Sequence, residues 1–201
     1  MFIDELGLSE VPVCLAYFIP PRQPVVFTFL PRIHWQVQQS FAQAGAVGSR
    51  NTTIRLFMNW TKENYLVSTD NALLQIGVIH DSLTRSTWAA GIDEATVRNA
   101  VKNSLNFGLY DGGHQIGYAR FITDYATFAY MADVFVIEKY RGKGLGRWLV
   151  ECMLKYPGVE RYRRLLLATT TAAWLYEKLG FSKPDNPDLF WQVNRPDIYK
   201  R

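Results

Sequence analysis

Cysteine, histidine and charged residues are all scarce in this sequence, and each scarcity removes a class of function. The two cysteines, Cys14 and Cys152, form no CxxC pair, and the three histidines, His34, His80 and His114, have no metal-ligand spacing. No metal centre is expected, and a reducing cytoplasm is the compartment that fits such cysteine usage. No membrane span is expected either. The most apolar window, residues 11–30, is interrupted by Pro20, Pro21, Arg22 and Pro24, and Asp4 and Glu5 occupy the place where an export signal carries cations. The formal net charge of +4 is a mild basic balance. It suits an anionic small molecule and is too weak to indicate a nucleic-acid partner.

Lysine is absent before Met58, and that stretch holds five of the nine prolines. Residues 1–58 show no sustained period and read as a poorly organised N-terminal extension. From residue 59 to residue 201 the pattern becomes regular. Tyr65–Ser68 reads as a strand. Asp70 offers a cap to a helix with Leu73, Ile76, His80 and Leu83 on one face, and Asp93 caps a second helix with Val97, Ala100, Val101 and Leu105. Residues 106–110 and 115–123 are strands joined by Asp111-Gly112-Gly113, a hairpin signal. Residues 128–137 form a long strand, apolar on both faces. A helix follows with Leu145, Trp148, Leu149, Cys152 and Met153 in one stripe. Then come a strand at 164–168, a helix carrying Ala172, Leu175, Tyr176 and Leu179, and a closing strand at 190–193. This order predicts an α/β (α+β) domain whose mixed sheet has helices on both faces.

The densest chemical signal is Arg141-Gly142-Lys143-Gly144-Leu145-Gly146, between the long strand and an amphipathic helix. Glycines let backbone N–H groups approach an anion, and the following helix N-terminus favours negative charge. Arg141, Lys143 and Arg147 add cations at the same place. The Walker pattern is absent, and the spacing G-x-G-x-G is not that of a dinucleotide fold. The run from Val134 to Gly146 resembles the acyl-CoA signature [QR]-x-x-G-x-[GA] of the GCN5-related N-acetyltransferase (GNAT) superfamily, through Arg141, Gly144 and Gly146. The stretch Ala172-Ala-Trp-Leu-Tyr-Glu-Lys-Leu-Gly-Phe181 is similar to a second motif of the same family.

The resemblance covers roughly residues 60–201. It implies a mostly antiparallel sheet of six or seven strands and an acetyl-CoA-dependent N-acetyltransferase acting on a small amine or an amino terminus by direct attack. The family reading alone leaves open a CoA-binding sensor or interaction module without turnover. The resemblance implies that the cofactor is held by Arg141, Gly142, Lys143, Gly144, Leu145, Gly146 and Arg147. Main-chain groups of Val134, Phe135 and Val136 are implied to pair with the pantetheine arm and to support the oxyanion through Val134 or Phe135. Thr169 stands where the family often has Asn. Tyr176 matches a general acid of the family, or is a core residue with a satisfied hydroxyl. By strand alternation Asp133 shares a face with Met131, Phe135 and Ile137. It is the candidate base, or a buried carboxylate satisfied by backbone or arginine, with a water chain as the family's other route. Trp88 is expected to wall the acceptor pocket, or to anchor the core, and Asp124 to attract a cationic amine. A homodimer is a possible assembly.

Family domains of this kind begin just before the first strand, so residues 1–57 are expected to be dispensable, with Met58 as the initiator. The alternative is packing through residues 25–30 or Trp35, covering a sheet edge or dimer face. A chain beginning at Met58 is expected to match the full chain in melting temperature and activity; insolubility, or melting several degrees lower, would make the extension structural.

Overall fold

The computed structural model describes residues 57–200, so the expectation for the N-terminal extension falls almost wholly outside the described residues. Six strands form one sheet in sequence order: β1 (Asn59–Lys62), β2 (Tyr65–Ser68), β3 (Leu105–Asp111), β4 (His114–Thr123), β5 (Phe128–Val136) and β6 (Arg164–Leu166). Every neighbouring pair is antiparallel except β5 and β6, which run parallel. Helices α1 (Ile76–Thr84) and α2 (Glu94–Lys102) share one apolar cluster with Tyr118 of β4. Helix α3 (Leu145–Leu154) and Tyr176 of the short α4 (Ala173–Glu177) belong to the other cluster, built on Phe107, Phe121, Ala129 and Met131. The sheet thus has a core on each face, as the order of elements predicts.

Local chemistry accounts for most boundaries. Asp93 caps α2 as expected, accepting from the N–H of Thr96 at 2.8 Å and from its hydroxyl at 2.8 Å. Asp70 also caps, but what it caps is a 3-10 turn at Asn71–Leu73. Leu73 is therefore exposed, and α1 starts later, at Ile76. Gln75 fixes that start by accepting from the Gln115 N–H and donating from its own N–H to the Gln115 side chain.

Two expectations at the sheet edges change. Strand β1 was not foreseen in Asn-Trp-Thr-Lys, because it is polar and its hairpin lacks the usual glycine; Glu63 takes the left-handed backbone instead, at φ 56°. The closing strand at 190–193 does not form. Asn186 and Pro187 set up a 3-10 turn that takes the Phe190 N–H, and Trp191 and Val193 are left exposed. Phe190 instead lies under the Arg164 guanidinium, 5.2 Å from ring centroid to carbon. Six strands result because one was gained and one lost.

Between the sheet and α2 lies a buried polar knot. The Tyr118 hydroxyl donates to Asn106 Oδ1 at 2.5 Å, and Asn106 Nδ2 donates to the carbonyls of Val101 (2.9 Å) and Ser104 (3.1 Å) and to Asn71 Oδ1 (3.0 Å). These bonds tie the end of α2 and the turn before α1 to β3 and β4. Removing one member leaves the rest unpaired away from water. Tyr118→Phe is expected to lower unfolding free energy by about 1–3 kcal/mol in urea titrations; a loss near zero would mean that Asn106 finds another partner.

Candidate functional site

Strands β5 and β6 pair over three positions only, Phe128 with Arg164, Ala129 with Leu165 and Tyr130 with Leu166. Beyond Tyr130 the two chains part. A cavity of about 860 Å³ opens there, lined by Met131, Asp133 and Val134 of β5, Leu167 to Thr171 after β6, and Tyr176 of α4. Its other wall brings in Trp88, Arg120 and Tyr130. Parallel strands have no hairpin to hold their ends together, so separation here requires no broken turn.

A bulge shapes the β5 wall. Tyr118 pairs with Phe135 and Arg120 with Ala132, so Asp133 and Val134 together oppose the single residue Ala119. Asp133 takes up the extra length with a left-handed backbone, φ 54°. The bulge also breaks the alternation on which its expected neighbours rested. Met131 enters the α3-side cluster and Phe135 packs against the α1–α2 cluster. The Asp133 carboxylate turns to Arg120, whose Nε donates at 2.6 Å, while the Trp88 indole donates to its other oxygen at 3.2 Å. The Asp133 carboxylate is thus paired with an arginine across the β4–β5 ladder.

The remaining expected residues divide. Tyr176 reaches the cavity from α4, nearly buried, with its ring edge-on to Phe181 at 5.8 Å. Burial pushes its phenol above the ordinary tyrosine value. Thr169 lines the cavity, and its hydroxyl accepts from the Ala172 N–H at 3.1 Å in the turn before α4. Trp88 stands at the rim, more than half exposed, rather than anchoring the core. Asp124 does not line the cavity. Its carboxylate accepts from the N–H groups of Thr127, Ala126 and Phe128 and from the Thr127 hydroxyl, closing the turn between β4 and β5. Those bonds, the Thr127 N–H foremost, hold it well below the usual carboxylate range. Phe135 and Val136 line no part of the cavity; Val136 is in the core.

The glycine-rich loop follows β5 and a 3-10 turn at Glu138–Tyr140. Gly142 and Gly144 adopt left-handed backbone, φ 78° and 75°, and no atom lies within 4 Å of where a Cβ would project. The loop surface is thus open at both glycines. Gly144 caps α3, and the N–H groups of Leu145, Gly146 and Arg147 begin that helix without a backbone partner among the described residues. Arg141 anchors the loop through Nε to the Val136 carbonyl at 3.0 Å. Lys143 lies 5.3 Å from the Tyr140 ring centroid. Arg147 is not a bare cation, since it pairs with Glu151 at 2.8 Å. That pair is exposed and weak enough to yield to a bound anion. Cation, dipole and unpaired donors converge here, which is what a pyrophosphate requires.

Arg120 and Tyr130 were missed. Arg120 had a signal, being a cation among apolar residues in β4, but its partner was hidden by the bulge, which no spacing rule reveals.

A profile described as the acetyltransferase (GNAT) domain matches residues 102–183. A protein of Gibberella zeae, provisionally named an acetyltransferase, is 33% identical over 141 residues, covering 60% of this chain and 80% of its own. A crystal structure from Xanthomonas campestris pv. campestris, provisionally described as a GNAT-family acetyltransferase, is 40% identical. It has a TM-score of 0.68, covering 70% of this chain and 100% of that one. A GNAT acetyltransferase of Elizabethkingia anophelis, solved with acetyl-CoA bound, shares the fold at 18% identity and TM-score 0.50, covering 62% of this chain and 80% of that chain.

Gly144→Glu is expected to abolish acetyl-CoA binding in calorimetry, because it places a carboxylate in the candidate anion site. Gly144→Ala introduces only the left-handed strain of about 1–2 kcal/mol and should keep measurable affinity. Unchanged affinity in a folded Gly144→Glu protein would remove the loop from the cofactor site.

Proposed function

The chain belongs to the GNAT acetyltransferase family, and we propose that it transfers the acetyl group of acetyl-CoA to the amine of a small molecule or an amino terminus by direct attack. The observation that carries this reading is the convergence of Tyr176 and Val134 on the cavity between the parted ends of β5 and β6. When bound, acetyl-CoA supplies a thioester carbonyl and a thiolate leaving group. The chain would hold its pyrophosphate on the donors of Gly142 to Arg147, where the open, left-handed glycines fit such a group.

The protein's own groups then divide the work. Past Tyr130, the side of β5 toward β6 has no strand partner among the described residues, so its main chain can pair with an extended ligand. The N–H of Val134 is our choice for oxyanion support, since Val134 lines the cavity and Phe135 does not. Tyr176 keeps its proton on Oη through the neutral range, because its phenol is raised above an ordinary value near 10. It can therefore donate to the departing sulfur. The ammonium proton goes to water rather than to Asp133, whose oxygens already accept from Arg120 and Trp88.

A covalent route through the described cysteine is disfavoured. Cys152 is buried on α3, and burial pushes its thiol to about 12, so almost no thiolate exists at neutral pH.

Release of CoA thiol in the presence of an amine panel tests transfer directly. Tyr176→Phe is expected to keep acetyl-CoA affinity and to lower kcat by about 10²-fold. Because the phenol is raised, wild-type activity should lose its acid only above about pH 10. Unchanged kcat in the variant would return Tyr176 to a packing role. Thiol release that is the same with and without amines would point to a binding module.

A further inference from the structure

The ion pair on the acceptor wall has a second consequence, which rests on the acetyl-transfer reading. We propose that Arg120 is a positioning residue: through Asp133 it holds both the β5 bulge that carries Val134 and the Trp88 indole at the cavity rim.

Two connections meet at Asp133, and a third leaves its partner Arg120. Arg120 of β4 donates from Nε to Oδ2 at 2.6 Å, and from Nη1 to the Ser104 hydroxyl, just after α2, at 3.0 Å. Trp88, in the connection between α1 and α2, donates to Oδ1 at 3.2 Å. The pair is sheltered, with side chains 16% and 11% exposed, so solvent does not screen it as it screens the other ion pairs among the described residues. Asp133 also has left-handed backbone. That conformation is unfavourable for a residue with a Cβ and persists only where surrounding contacts impose it. Arg120 provides such a contact. A planar guanidinium meets Asp133 and Ser104 from two separate nitrogens, Nε and Nη1; a lysine would have to reach both from one nitrogen.

Removing Arg120 therefore releases more than a charge. It frees the carboxylate that anchors the bulge, and with it the peptide of Val134 and the indole of Trp88. The phosphate loop makes none of these contacts, so acetyl-CoA should still bind, losing only what the Val134 peptide contributes, while acceptor turnover suffers more. A pair that merely stabilised the fold would lower the melting temperature and leave turnover of the folded protein alone.

The test uses the full chain with Arg120→Met, Asp133→Asn, the double variant and Arg120→Lys. Trp88 is read by the ¹⁵N indole resonance identified with Trp88→Phe. Arg120→Met is expected to shift that resonance, to weaken acetyl-CoA binding by less than it weakens turnover, and to lower kcat/KM for an accepted amine by about tenfold or more. The double variant should be no worse than the worse single, as coupled residues require. Arg120→Lys should fall between. If Arg120→Met does not fold, Ser104→Ala carries the same comparison and should shift the indole with a smaller loss of kcat/KM. An unmoved indole resonance, or kcat/KM within about twofold of wild type despite a lower melting temperature, would overturn the proposal. Should wild type acetylate no amine, the transfer reading fails; the indole resonance still decides whether Arg120 holds Asp133 and Trp88.

Discussion

Parallel pairing between β5 and β6 stops after three residue pairs, and the candidate site exists because it stops. Had the ladder continued, Met131 to Val136 would face another strand and there would be no cavity. Elsewhere the sheet is sewn by antiparallel pairs, three of them joined by tight hairpins or turns. The helix α3 that connects β5 to β6 leaves their far ends independent. Close packing fixes the other side of β5. A Cβ at Gly117 would come within 2.8 Å of the Phe135 carbonyl, so glycine there lets β4 sit against the bulged strand.

Two electrostatic environments flank this opening. At one end, the loop from Arg141 to Arg147 concentrates unpaired N–H groups and cations at the surface, where an anion exchanges one polar setting for another. Deeper in, the titratable groups are held neutral or paired. Burial raises the phenols of Tyr118 and Tyr176, and Asp133 meets Arg120. An inner wall of that kind has little net charge of its own. It suits a reaction in which charge develops during transfer and is met by fixed donors instead of by mobile ions.

The rigidity that such a site needs comes from both cores. Phe107 stacks edge-on with Phe121 at 5.8 Å beneath α3, while Ile79, Leu83, Val97 and Val101 seal α1 and α2 against Tyr118. The polar knot at Asn106 binds the α1–α2 layer to the sheet. Because Trp88 lies in the connection between those helices, the position of the cavity rim depends on this knot as well as on the ion pair at Asp133.

Local rules made much of this legible. Asp93 before an apolar period, Asp111-Gly112-Gly113 between alternating strands, and three glycines with cations before a helix each specify a structure over a few residues. The corresponding elements are where the sequence places them. The same locality explains the misses. Asp70 has the chemistry of a cap, but what it caps depended on Gln75 reaching Gln115, forty positions away. Asp124 looked available to a substrate until the turn at Thr127 claimed its carboxylate. Asp133 does not share a face with Met131, because alternation assumes an unbroken pleat and the extra residue opposite Ala119 sends Met131 to one cluster and Phe135 to the other. By itself, then, the sequence determined the family, the order of most elements and the glycine-rich loop before α3, all of which are written in contiguous residues. Only the tertiary structure decided where β5 leaves β6, that Arg120 meets Asp133, and that Trp88 joins them. Those outcomes depend on register between strands, which is set by packing across the whole sheet.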